Sequence, residues 1–236
     1  MKTLLTGLVI ISCFVMSGAA SAAFVLGATR VVYQQGDEDV TLSVRNTSSL
    51  PYVGQAWVEP YSVDPEGVND EEPPSFVVTP SLFKLEPGDA KILRFIGIST
   101  SLPTDRESTF WINVQEIPPE AKGKNVVQFA QRIKVKLFYR PDSIVEADPL
   151  TAISRLRVSI NGGVLKIENP SPFSVSFFRA SVSGTDDDEV LSDLRMLLPF
   201  KSVELKAPEV GTPKRFSFDY INDYGGRREG PDLEVR

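Results

Sequence analysis

The pattern of apolar and polar side chains along the chain is one of short alternating runs separated by turn residues. Alternation with a period of two places one row of side chains on each face of a strand, so each run predicts a half-buried β-strand. Before Pro141, such runs occupy residues 40–44, 56–58, 92–96, 110–114 and 126–138. Turn residues separate them, as in Asp64–Gly67 and Glu86–Gly88. About seven strands at this spacing predict an antiparallel β-sandwich, and no amphipathic stretch is long enough for a substantial helix.

The alternating pattern restarts after an irregular stretch, residues 142–150, which we interpret as a hinge. Further strands are predicted at 156–160, 164–167, 175–178, 190–194, 203–205 and 216–221. Asn161-Gly162-Gly163 is predicted to join the first two as a hairpin, because Asn and Gly tolerate the positive φ that a tight turn requires. The predicted fold class is therefore all-β, with two tandem β-sandwich domains over residues 23–142 and 149–236.

The N-terminal segment, residues 1–22, has the pattern of a secretory signal peptide. Lys2 supplies a positive charge, the run from Leu4 to Met16 is largely apolar, and Ala20-Ser21-Ala22 forms a small-residue cleavage site. The apolar run is too short to serve as a transmembrane anchor. A lipoprotein signal at Cys13 is disfavoured because the residues that follow it stay apolar, where a lipoprotein turns polar. The pattern predicts an exported protein.

Composition excludes most enzyme chemistry. The 236 residues include no His and one Cys, so His-based proton transfer, His metal sites and an intrachain disulfide are excluded. The chain has 25 Lys and Arg against 31 Asp and Glu, a formal net charge of −6, which argues against a nucleic-acid-binding surface. We expect no enzyme activity, no cofactor, no metal and no nucleic-acid partner.

Three short motifs suggest chemistry but lack its structural context. Ser81-Leu82-Phe83-Lys84 has the Ser-x-x-Lys spacing of penicillin-binding enzymes, but it lies in strand-patterned sequence, where the two side chains would not meet. The acidic run Asp186–Glu189 lacks the alternating ligands and the glycine of a calcium loop. Asn46-Thr47-Ser48 is a glycosylation sequon that is better interpreted as a turn.

The run from Val126 to Arg140 is the longest alternating segment. Its residues 127, 129, 133 and 135 are large and apolar on one face, and residues 128, 132, 134 and 136 are polar on the other. At about 3.3 Å per residue it would span more than roughly 30 Å, longer than the core of one domain requires. Two interpretations follow: a central strand of the sandwich, or an edge strand that offers backbone groups and apolar side chains to a partner.

Several further segments have an order and spacing that are typical of one protein family. They are Ala28–Tyr33, Gln55–Glu59, Thr79-Pro80, Leu85–Gly88, Asp105–Ser108, Asn113–Pro119 and Lys136–Pro141 in the first domain, and Glu168–Pro172 and Tyr220–Gly226 in the second. With these segments the chain resembles, over nearly its whole length after residue 22, the periplasmic chaperones of the chaperone–usher pathway of pilus assembly.

The resemblance implies two immunoglobulin-like domains in an L-shaped arrangement and a periplasmic location. The partners that it implies are pilin subunits whose own sandwich lacks its last strand, and the outer-membrane usher at which the next subunit replaces the chaperone. The chaperone lends its G1 strand to the subunit, and the apolar row of that strand is here Val127, Phe129, Ile133 and Val135. Gln131 departs from the apolar residue usual in the family, so we expect Val127 and Phe129 to contribute most.

The resemblance also implies two groups of charged residues. Arg30 and Lys136 match the cations that bind the C-terminal carboxylate of the client in the cleft. Two cations that converge on one carboxylate would form charge-assisted hydrogen bonds and fix the register of the client strand. Glu107, Arg140 and Asp223 match a salt-bridge network between the domains, which would orient one domain against the other.

The connection Glu116–Asn125 is short and is not flanked by a cysteine pair, which resembles the short F1–G1 loop branch of the family.

Whether the client-free protein self-associates through its donor strand stays open. The alternative interpretation is a two-domain structural or adhesive β-sandwich protein of the envelope, without chaperone activity. A pilin would instead be a single domain with an apolar N-terminal extension and a disulfide.

Overall fold

The computed structural model describes residues 22–61, 74–98, 101–121, 127–145, 147–184, 188–194, 196–207, 209–213 and 215–236. The predicted signal peptide up to Ser21, the predicted turn at Asp64–Gly67, residues 122–126 and Asp186-Asp187 lie outside the described residues.

The N-terminal domain is built from two facing sheets. The first sheet has the order β1-β3-β7-β5, and its strands are β1 (Phe24–Leu26), β3 (Val40–Asn46), β7 (Ala90–Gly97) and β5 (Phe76–Thr79). The second has the order β2-β9-β8-β4-β6, and its strands are β2 (Arg30–Gln34), β9 (Arg132–Arg140), β8 (Ser108–Ile117), β4 (Tyr52–Pro60) and β6 (Leu82–Leu85). All these pairings are antiparallel except that of β2 with β9, which is parallel.

The inward rows of the two sheets form one hydrophobic core. Leu93 and Phe95 of β7 are fully buried, as are Ile112 and Val114 of β8. Arg94 lies between the first two and is exposed, and Trp111 precedes Ile112 and is half-buried. Burying apolar area contributes about 25 cal/mol per Å², so these inward rows stabilise the face-to-face packing of the two sheets. The β-sandwich predicted from the pattern is confirmed.

Two short helices occupy most of the stretch interpreted as an irregular hinge. They are α1 (Asp142–Val145) and α2 (Pro149–Ser154). The Asp148 side chain caps α2 by accepting a hydrogen bond from the Leu150 N–H at 2.8 Å, and Pro149 suits the first turn because its missing N–H would have no partner there. Both helices are too short to show a helical period in the sequence.

The C-terminal domain is a second sandwich. One sheet has the order β10-β11-β15, with β10 (Arg157–Asn161), β11 (Val164–Glu168) and β15 (Ser202–Lys206). The other has the order β13-β12-β16-β17, with β14 beside β12 and β18 beside β16; its strands are β12 (Val175–Ser183), β13 (Asp188–Val190), β14 (Met196–Leu197), β16 (Arg215–Ile221), β17 (Arg227–Glu229) and β18 (Leu233–Glu234). The predicted hairpin is present, since Gly162 and Gly163 have φ values of 57° and 80° between β10 and β11.

Candidate functional site

Strand β9 has a free edge along its first half. Strand β8 pairs with it over residues 132–139, and the Glu116 N–H donates to the Gln131 carbonyl at 2.9 Å just before. On the opposite side, β2 pairs with β9 only from Lys136 onward, where Arg30 is the register partner. In the part of the chain that the structure describes, no strand covers the second edge of residues 127–135. That edge can therefore accept an extended chain.

The strand itself is shorter than the sequence predicted. It begins at Arg132, and residues 127–131 precede it without a regular ladder. Beyond the end of β8, Pro118 and Pro119 have no N–H groups to donate, so the pairing cannot continue. The predicted strand over residues 126–138 is wrong in its first part, and Val126 lies outside the described residues.

The predicted apolar row divides into an exposed half and a buried half. Val127 is 75% exposed and Phe129 is 81% exposed, more than any other large apolar side chain in the described residues except Tyr224. Val135 is 6% exposed and belongs to the core of the N-terminal domain, and Ile133 packs partly against the same core. In this structure Val135 is therefore not free to contact a partner, and Ile133 is only partly free, while the role of the row in binding a client stays a prediction. Gln131, between the two halves, is exposed.

Arg30 and Lys136 lie side by side at the boundary between the domains. They are register partners in the parallel pair of β2 and β9 and point away from the core of the N-terminal domain. The Lys136 Nζ atom donates to the Ser176 hydroxyl at 3.0 Å, and the Arg30 Nη1 atom donates to the Ile221 carbonyl at 2.8 Å. Because Ser176 and Ile221 belong to the C-terminal domain, both cations are held between the two sandwiches.

These two cations are desolvated but have no carboxylate partner among the described residues. Burial, and secondarily the charge of Arg30, lowers the pKa of Lys136 to about 8. Burial also lowers the pKa of Arg30, although the charges of Asp223 and Glu107 oppose that shift. The buried Arg30 Nε atom has no hydrogen-bond acceptor among the described residues. A carboxylate placed between the two cations would compensate their desolvation.

A salt-bridge network joins the domains next to this pair. Arg140 Nη2 lies 2.6 Å from Glu107 Oε1, and Arg140 Nη1 lies 3.1 Å from Asp223 Oδ2. The second oxygen of Glu107 accepts the Ser174 N–H at 2.8 Å, and the Glu107 N–H donates to the Pro172 carbonyl at 2.9 Å. The structure thus brings together all three residues that the sequence grouped, across the domain boundary.

Burial and pairing have opposite effects on these charges. Burial raises the pKa of Glu107, against the opposing effects of Arg140 and of the Ser174 N–H. Burial alone would lower the pKa of Arg140, but the charges of Glu107 and Asp223 outweigh it and raise that pKa. Removing one member of a buried ion pair leaves an uncompensated charge, which typically costs about 3–5 kcal/mol. The network therefore penalises any domain orientation that separates its members.

Sequence reasoning missed the partners of the two cations. Ser176 is buried and interrupts the apolar run Val175–Phe178, which is a weak signal that it faces something polar. The Ile221 carbonyl gave no signal, because a backbone acceptor carries no sequence signature.

Within the described residues, no group of three or more His, Cys, Asp or Glu side chains could hold a metal ion. No helix there is long and apolar enough to cross a membrane.

Fold and site together define a class of protein: two β-sandwiches with a free strand edge beside two desolvated cations that have no carboxylate partner among the described residues. Family comparison is specific for this class. Residues 23–145 match the "Pili and flagellar-assembly chaperone, PapD N-terminal domain" and residues 151–231 match the "Pili assembly chaperone PapD, C-terminal domain". The chain belongs to the PapD family of pilus-assembly chaperones, and its function is to chaperone pilin subunits. Membership of this family implies a role without catalysis.

Individual relatives cover nearly the whole chain. The chaperone protein PapD of Escherichia coli is 36% identical over 222 residues, which are 92% of this chain and 88% of that protein. The probable fimbrial chaperone LpfB of Escherichia coli O157:H7 is 32% identical over 224 residues, 93% of this chain and 91% of that protein. Among solved structures, the Salmonella enterica SafA pilin in complex with the SafB chaperone matches with a TM-score of 0.76 and 29% identity, over 92% of this chain and 98% of that one.

Proposed function

We propose that this chaperone acts in the periplasm, after export with residues 1–22 as a cleaved signal peptide, by lending residues 127–135 to a pilin subunit as a missing strand. The observation that carries the proposal is the free edge of β9 before Lys136, next to the exposed Val127 and Phe129. Delivery of the subunit to the outer-membrane usher then allows the next subunit to replace the chaperone.

The physical need for such a partner lies in the client. A sandwich that lacks a strand exposes unpaired backbone groups and apolar core, and both promote aggregation. The free edge of residues 127–135 can pair the backbone, and Val127 and Phe129 can fill the groove. Full burial of such side chains contributes about 1.5–3 kcal/mol each.

Arg30 and Lys136 would bind the C-terminal carboxylate of the client. Their register pairing in β2 and β9 places them where the free edge ends, so a client strand that runs along the edge would reach them with its last residue. A slip by one residue would turn every apolar side chain of the client strand to the wrong face. The carboxylate contact would therefore set the register as well as add affinity.

Glu107, Arg140 and Asp223 would hold the two domains in the orientation that this cleft requires. We assign the domains to residues 23–142 and 149–236, with α1 between them and α2 at the start of the second. The short connection Glu116–Asn125 supports assignment to the short F1–G1 loop branch.

The proposal predicts that client binding weakens above pH 8. The pKa of Lys136 is about 8 in the free protein, and a bound carboxylate would raise it because it favours the ammonium form. Between the pKa of Lys136 in the free protein and its higher pKa in the complex, the complex binds more protons than the separated chaperone and pilin. Affinity should therefore fall as the pH rises from 8, by up to about tenfold per pH unit.

Titration calorimetry with the cognate pilin at pH 7, 8 and 9 tests this expectation. In a Lys136→Arg variant, the cation stays charged over the whole range, so the pH dependence should disappear. An equal slope in the wild type and in the variant would contradict the role given to Lys136.

A further inference from the structure

A cavity of about 470 Å³ in the C-terminal domain includes in its lining the two residues that accept hydrogen bonds from Lys136 and Arg30. Its lining comes from α2 and the residue before it, the start of β12, the end of β16 with the turn that follows, and Arg228 of β17. Ser176 and Ile221 both line the cavity, and they are the residues that accept hydrogen bonds from Lys136 and Arg30. The cavity and the carboxylate-binding cations are therefore adjacent parts of one surface.

Apolar side chains form about half of the cavity lining, beside polar ones that include Asp148, Asp223 and Arg228. Ile153, Val175 and Tyr220 form its buried side, with at most 9% of each side chain exposed. Leu150, at the start of α2, is 56% exposed and forms part of the wall. A volume of this size lies in the range of pockets that bind small ligands, so it can hold a large side chain. An apolar or aromatic group would gain most from entering it.

We propose that this cavity binds the side chain of the C-terminal residue of the client and selects a large apolar or aromatic one. The inference rests on the proposed function, because the carboxylate bound by Arg30 and Lys136 is what brings the terminal residue here. In any terminal residue, Cβ is only two bonds from the carboxylate carbon. With the carboxylate on the cations, the side chain starts next to Ser176 and Ile221, at the entrance of the cavity.

Three synthetic peptides of fifteen residues, alternating Val with Thr or Lys, test the proposal with the full-length mature protein. One ends in Phe with a free carboxylate, one in Ala with a free carboxylate, and one in Phe with an amide. The wild type should bind the Phe acid about tenfold more tightly than the Ala acid, from burial of the ring. It should also bind the Phe acid more tightly than the Phe amide, through the cations.

Leu150→Trp should fill the cavity and remove the preference for Phe over Ala, while the preference for the acid over the amide stays. Leu150→Ala should reduce the Phe preference several-fold by removing part of the wall. Leu82→Ala, at a leucine that is 64% exposed on the far strand β6, should change neither preference.

The two preferences separate this inference from the function on which it rests. Discrimination between acid and amide without discrimination between Phe and Ala would overturn the cavity and leave the carboxylate site intact. A Phe preference that persists unchanged in Leu150→Trp would also overturn the cavity. Loss of the acid preference in the wild type, or no binding of any of the three peptides, would overturn both.

Discussion

Replacing Phe129 by Asp is expected to lower the affinity for the cognate pilin about 1,000-fold while the chaperone stays folded. The substitution removes the burial of an aromatic ring in the client and places a carboxylate in an apolar groove, which together cost roughly 4 kcal/mol. Folding should not change, because Phe129 is 81% exposed in the client-free protein and contributes little to its core. Co-purification with tagged pilin and the midpoint of thermal unfolding measure the two effects.

A matched control is available at Leu82, which is 64% exposed on β6, the edge strand farthest from β2 in the same sheet. Leu82→Asp introduces the same charge at an exposed apolar position of the same domain and should leave client binding unchanged. Wild-type recovery of pilin with Phe129→Asp, or an equal loss with Leu82→Asp, would show that Phe129 has no special role.

Removing Lys136 should separate binding from stability. Lys136→Met is expected to reduce pilin affinity at least about 100-fold, because it removes a charge-assisted hydrogen bond in a desolvated cleft and leaves the client carboxylate partly uncompensated. The same variant should unfold at an equal or higher temperature at pH 7. The lowered pKa of Lys136 means that burial of its ammonium group costs folding free energy, in full below a pH of about 8 and progressively less up to its ordinary pKa of 10.5.

Arg30→Met should show the same loss of binding, since Arg30 is the register partner of Lys136 and has no carboxylate partner in the described part of the chain. Lys84→Met serves as control, because Lys84 is an exposed residue of β6 that pairs with Glu86, just after the end of that strand. A purely structural role for Lys136 would instead lower the unfolding temperature of Lys136→Met and leave pilin affinity intact.

The two sandwiches could be predicted from alternation because each strand has one face in a core. The same alternation could not predict whether a given apolar side chain would be buried in the core of its own domain or stay exposed. Val127 and Val135 have the same parity in one run, yet Val135 is buried in the core between the two sheets of the domain, while Val127 is 75% exposed. A period of two assigns residues to a face of a strand, and tertiary packing decides what lies opposite that face.

The charged site depended on family resemblance, since the two cations are far apart in sequence and lone surface cations are common. The parallel pairing of β2 with β9 brings Arg30 beside Lys136, and no local pattern predicts that register. The helix α2, unlike the cation pair, has a local signal in the sequence. Asp148-Pro149 is a recognisable helix start, but six residues are too few for a helical period to show.

A crystal structure of the chaperone with its pilin tests the central claim most directly. We predict that a strand of the pilin pairs with the free edge of residues 127–135, that Val127 and Phe129 are buried in the pilin, and that its C-terminal carboxylate contacts Arg30 and Lys136. A complex in which residues 127–131 contact no pilin residue would contradict the account.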